Sequence, residues 1–132
     1  MDAAVCGSIR GMDSPRAVDL DSVLATVEEP WSPRTVGTVN DYDVRVVKAH
    51  GEFTRHSHPE TDEFFLVLSG SLTIRTDAGD VTLGPGQVYV VPRGVHHQPV
   101  SPQGATLLLF EPTETVNTGD TPSALTAQRR LA

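Results

Sequence analysis

Gly51–Gly70 reads GEFTRHSHPETDEFFLVLSG. His56 and His58 stand two residues apart, and Glu63 follows five residues later. On an extended strand the side chains at i and i+2 share one face. The two imidazoles are therefore expected to project together, about 7 Å apart along the strand at ~3.4 Å per residue. That is close enough for both to converge on one cation. Pro59-Glu60-Thr61 should break the strand, because proline supplies no ladder hydrogen bond and such clusters mark turns. Glu63-Phe64-Phe65-Leu66-Val67-Leu68 then reads as a second, deeply buried strand. Glu63 stands at its start, where a hairpin partner would bring it back beside the histidines. A carboxylate opening an apolar run is costly to bury unless it is paired or bound to metal. The stretch predicts a metal site.

Outward from this stretch, the sequence from Val36 reads as short strands separated by turn signals, the pattern of an antiparallel sandwich or barrel. Strands are expected near 36–39, 43–50, 52–58, 63–69, 71–77, 80–83, 87–91, 95–100 and 105–111. Asp77-Ala78-Gly79-Asp80 is a hairpin turn able to use Gly79 at positive φ. Upstream, Leu20, Val23, Leu24 and Val27 follow the i, i+3, i+4, i+7 spacing of a short amphipathic helix, with Asp19 as its cap and Pro30 as its stop. Trp31-Ser32-Pro33 should pack on the outside of the barrel. The expected organisation is a disordered leader at 1–15, a short helix and connector at 16–35, a barrel at 36–112 and a polar tail at 113–132 that frays at its end.

The motifs themselves, G-x4-HSH-x4-E-x6-G from Gly51 to Gly70 and Gly86-QVYVV-Pro92-Arg-Gly94-Val95-His96-His97, resemble the two ordered signatures of the cupin superfamily. Fifteen residues separate them, so one hairpin and no insertion should lie between. EPWSP at 29–33 and EPTETVNTGD at 111–120 also look like segments of small single-domain cupins. The resemblance implies an all-β fold: a single antiparallel jelly-roll barrel with a short N-terminal helix. It implies His56, His58, Glu63 and His97 as ligands of one divalent transition metal. Two departures stand out. Ser101 occupies the place of a usual asparagine, and His96 stands where proline is common, although spacing from Gly94 favours His97 as the ligand. Three imidazoles and a carboxylate, with no thiolate, suit Fe, Mn, Ni, Co or Zn.

Composition narrows the function classes. The chain has 132 residues, enough for one domain with a real core, and a formal charge of −7 from 17 acidic and 10 basic residues. Without a basic cluster, a nucleic-acid surface is not expected, nor is binding to an anionic membrane. Cys6 is the sole cysteine, which excludes an internal disulfide. The N-terminal residues lack the apolar core of a secretory signal, and no segment reaches the ~20 apolar residues that span a bilayer. The expected location is the cytoplasm.

Lys48 is the only lysine, on the strand before Gly51 and in step with Val44 and Val46. If those valines face inward, its ammonium enters the pocket and serves as an acid/base or anchoring group, or as a structural ion pair with Glu111. A glycine bulge at Gly51 would reverse that facing. Phe65, Val67 and Leu109 are expected to wall the pocket, with Phe53, Phe64, Tyr89 and Phe110 on the outer face. A homodimer is expected, with residues 31–39 at the contact. Two classes follow: a metal-dependent oxygenase, isomerase, epimerase or lyase acting on a small organic molecule, or a non-catalytic small-ligand sensor or accessory subunit.

Overall fold

The computed structural model describes residues 16–132, so the leader expected at 1–15 lies outside the described residues. The chain begins with α1 (Leu20–Ala25), whose cap Asp19 accepts a hydrogen bond from the Ser22 backbone N–H at 2.9 Å. Seven strands follow: β1 (Arg34–Val39), β2 (Tyr42–Glu52), β3 (Glu63–Gly70), β4 (Leu72–Thr76), β5 (Gly79–Leu83), β6 (Val88–Val91) and β7 (His97–Pro112). All pair antiparallel in one curved sheet ordered β1-β2-β7-β3-β6. β4 leaves this path to pair with β5 and with the first half of β7. The long β7 is shared by β2, β3 and β4, so it joins the two walls of the barrel.

The concave side holds the core: Val47 and Ala49 of β2, Phe65 and Val67 of β3, Leu72, Ile74, Leu83 and Val91, and Leu107 and Leu109 of β7. Strand alternation makes the facing legible, because cross-strand partners share a face. Phe65 stands opposite both Leu109 and Tyr89, which turns Tyr89 inward and corrects its expected place outside. Phe53 is likewise in the core. Phe64 and Phe110, partners across β3 and β7, face outward as read.

Four local expectations change. Residues 53–58 form no regular strand; His56 makes only an isolated bridge to His97. The strands expected at 95–100 and 105–111 are one, β7. Trp31 is buried in the core cluster, its indole N–H donating to the His50 carbonyl at 2.9 Å and its ring 4.8 Å from Phe53. The tail does not fray. Leu131 bridges Thr35, whose N–H donates to the Arg130 carbonyl at 2.8 Å. Arg129 grips the carboxylate of Asp43 through both Nε and Nη2.

Candidate metal centre

The two histidine-bearing motifs are stitched together by main-chain hydrogen bonds. His56 N donates to His97 O at 3.0 Å, and His97 N donates to His56 O at 2.8 Å. Gly94 N donates to His58 O at 2.9 Å, and Arg93 N to Asp62 Oδ1 at 2.9 Å. Glu63 does not return on a hairpin with the histidine segment, as its place after the turn suggested. It opens β3, paired with Val91 of β6, and its side chain reaches the histidines from there.

His56, His58, Glu63 and His97 are all buried, and one ligand atom from each lies within 4.8 Å of all the others. His56 Nε2 is 3.1 Å from His58 Nε2. Glu63 Oε1 is 2.9 Å from His97 Nε2 and 3.2 Å from His58 Nε2. A cation with bonds near 2.1 Å needs adjacent donors about 3 Å apart, which is the spacing these atoms hold. The tautomers agree. Nδ1 of His56 donates to the Thr54 carbonyl at 2.8 Å, and Nδ1 of His97 donates to the Val95 carbonyl at 2.9 Å. Because a carbonyl only accepts, Nδ1 carries the proton in both, and each ring in its neutral form presents its Nε2 lone pair to the centre.

Electrostatics favour a cation as well. Burial pushes the His56 imidazole down to about 4, so it is neutral at physiological pH. Burial pushes the Glu63 carboxyl up, but hydrogen bonds and charge from His58 and His97 in their protonated forms outweigh this and hold it below the usual carboxylate range, a positive charge that a bound cation would supply once the rings are neutral. The centre is thus a buried anion ringed by lone pairs, and the residues fit a divalent metal.

The other expected site residues are placed differently. Lys48 does not enter the barrel. Asp43, Arg45, Val47 and Ala49 form the inward set of β2, the register shifts only beyond Ala49, and the Lys48 ammonium donates to the Val27 carbonyl at 2.6 Å. Glu111 is buried but paired with Arg45 at 2.7 Å rather than with Lys48. Its other oxygen, Oε1, has no hydrogen-bond partner among the described residues. Burial, and then the neighbouring Glu63 charge, raise its carboxyl well above the ordinary value, with Arg45 offsetting only part. Phe65, Val67 and Leu109 lie in the core cluster, and Phe65 meets His97 edge-on with ring centroids 6.2 Å apart. His50 and His96 are exposed. Ser101 is buried and donates to the Ser71 carbonyl at 2.7 Å, closing a corner of the barrel.

Sequence reasoning missed three contributors. Arg45, 4% exposed, donates to Asp43, Glu111 and the Thr113 and Thr115 carbonyls. A lone arginine amid β-branched residues was its only signal. Gly119 and Asp120 touch the histidine segment from behind, and the EPTETVNTGD stretch had marked them without a role.

The model of the Cupin domain family matches residues 43–111, which holds both motifs. The chain belongs to the cupin family. This cupin is 32% identical over 81 residues to an uncharacterized protein, YdbB, of Bacillus subtilis, covering 61% of this chain and 72% of that one. A cupin-2 domain containing protein from Shewanella frigidimarina superposes with a TM-score of 0.70 at 36% identity, over 72% of this chain and 93% of that one. A sugar phosphate isomerase of the cupin superfamily from Silicibacter pomeroyi matches at 29% identity and a TM-score of 0.52, over 61% of this chain and 55% of that one. Among the described residues, no helix is long and apolar enough to cross a membrane.

Proposed function

We propose that this cupin holds one divalent transition metal through His56, His58, Glu63 and His97 and acts as a metal-dependent enzyme on a small organic molecule. The observation that carries the reading is the convergence of Nε2 of His56 and His58 at 3.1 Å with Oε1 of Glu63 and Nε2 of His97 at 2.9 Å. Lone pairs at contact distance repel unless a proton or a cation stands between them, and His56 and His97 commit their Nδ1 protons to the Thr54 and Val95 carbonyls. A divalent ion there supplies Lewis acidity for isomerase, epimerase or lyase chemistry, and dioxygen chemistry if it is redox-active. The chain's own residues prepare the place. The Thr54 and Val95 carbonyls fix two ring tautomers, and Glu63 supplies the balancing charge. Phe65 beside His97 gives the centre an apolar wall that excludes water. The isomerase activity named for the Silicibacter relative favours the Lewis-acid branch.

Elemental analysis of the purified protein is expected to find close to one divalent metal per chain. His58→Ala should empty the site and leave the barrel folded, because the core cluster is apolar and includes none of the four candidate ligands. Unchanged metal in that variant would sink the assignment. Turnover of sugar phosphates by Zn(II)-loaded protein without oxygen supports the isomerase or lyase branch; oxygen uptake by Fe(II)-loaded protein moves it to the oxygenases.

A further inference from the structure

Ser57 sits between the two histidine ligands, 3% exposed, and all its polar groups are taken by a single residue of the C-terminal segment. Its N–H donates to Asp120 Oδ1 at 2.8 Å and its hydroxyl donates to Asp120 Oδ2 at 2.9 Å. Its carbonyl accepts from Asp120 N at 3.0 Å. Gly119 presses against the same residue so closely that a Cβ there would fall 2.1 Å from Ser57 O and 3.0 Å from His56 Cδ2. Its φ of +56° is also one that a side chain disfavours.

The rest of the segment is anchored independently of this contact. Arg45 holds the Thr113 and Thr115 carbonyls. Asn117 donates to Leu125 O at 3.0 Å and accepts from Ala127 N at 2.9 Å, while Thr118 is fully buried and shares a hydrogen bond with Thr126. By contrast, residues 53–58 form no regular strand: apart from the contacts at Ser57, their main-chain bonds to the barrel are Phe53 N to Pro99 O, the reciprocal pair between His56 and His97, and Gly94 N to His58 O.

We infer that Gly119 and Asp120 form a latch that positions the His56–Ser57–His58 segment and so sets the metal affinity of the site. A backbone that lacks regular strand pairing keeps its side chains aimed only if something else holds it. Here main-chain bonds tie His56 and His58 to the second motif, and the carboxylate cradle fixes the residue that separates them. Outer-layer groups of this kind are typically worth 10–100-fold in metal affinity. Both are positioning residues, since neither supplies a ligand atom. The inference rests on the metal-binding reading, and its test separates the two.

Cobalt(II) is the probe, its affinity measured by competition with a chelator and its environment by visible absorption. Asp120→Ala and Gly119→Ala are each expected to weaken cobalt binding by at least about tenfold and to shift the absorption bands. The melting temperature of the metal-free protein should fall only modestly in Asp120→Ala, because Asn117 and Arg45 still hold the segment, and further in Gly119→Ala, whose added Cβ meets the Ser57 carbonyl. Asp120→Asn should recover most of the affinity, since an amide can accept from Ser57 N and donate to its hydroxyl. Affinities within twofold of wild type in both disruptive variants would overturn the latch. So would losses that merely track a lower melting temperature of the metal-free protein. If the wild-type protein binds no cobalt, the metal reading fails, and the latch is decided in the metal-free protein. Asp120→Ala must then speed exchange of the Ser57 amide and broaden the ring signals of His56 and His58, and unchanged signals refute it.

Discussion

The Lys48 ammonium donates to the Val27 carbonyl, just past the end of α1, where unpaired carbonyls and the helix dipole both favour a cation. It is half-buried on the outer side of β2 and clamps the helix to the sheet. Lys48→Met keeps the apolar stem and removes the donor. Urea unfolding should show a loss of roughly 1.5–3 kcal/mol, the net worth of a hydrogen bond from a charged group, with bound metal unchanged. A variant of full stability that lost metal would contradict this placement. The error in the inward expectation is instructive at this scale. Val44 and Val46 look like core residues, and Asp43 and Arg45 do not, yet Asp43 and Arg45 face inward and are buried. In a strand of period two, one such inversion moves every residue to the other face. The ligand residues were legible because their types and spacing are rare. Lys48 was not, because its facing depends on which valines the sheet covers.

Among the elements, the C-terminal segment and β2 are joined through Asp43. Its carboxylate receives hydrogen bonds from Arg129, Thr113, Thr35 and Arg45, and so ties β1, β2 and the tail. Burial pushes this carboxyl up, but those four donors outweigh it and lower it to about 2. A folded-state value below the unfolded one means that the stability contributed by Asp43 is present above about pH 4. It is lost as pH falls from there toward 2. Thermal melts of the wild-type protein and Asp43→Asn should therefore differ most near neutral pH and converge as the solution is acidified. A gap that stays constant from pH 6 to pH 2 would remove the ionised carboxylate from the account. The clamp was illegible because its partners come from opposite ends of the chain, Asp43 and Arg129, and no local pattern pairs them.

For the whole molecule, the outer face of the sheet is where a second copy is expected to pack. Phe64 stands opposite Val90 and Phe110, Leu66 opposite Val88 and Leu108, and Val44 opposite Phe110. Val88 and Val90 are 51% and 45% exposed, and none of these side chains carries charge in a chain of net charge −7. A continuous apolar face on an otherwise acidic molecule fits the same face of a second copy, in an isologous pair. Light scattering at micromolar concentration should give twice the monomer mass, and Val90→Lys should give the monomer. A wild-type monomer would refute the homodimer. The contact proposed here centres on β6 and β3 rather than on residues 31–39, because Trp31 is turned into the core.

The fold class and the four candidate ligands that converge, His56, His58, Glu63 and His97, were already legible along the chain. Strand alternation, turn residues and two ordered motifs are local or short-range signals, and a buried carboxylate next to paired histidines has few other physical explanations. Tertiary structure alone decided the facing of β2, the inward turn of Trp31 and Tyr89, the pairing of Glu111 with Arg45 and the docking of Asp120 on Ser57. Each of these joins residues far apart in the chain, or depends on which of two faces is covered. Neither kind of information is carried by neighbours along the sequence.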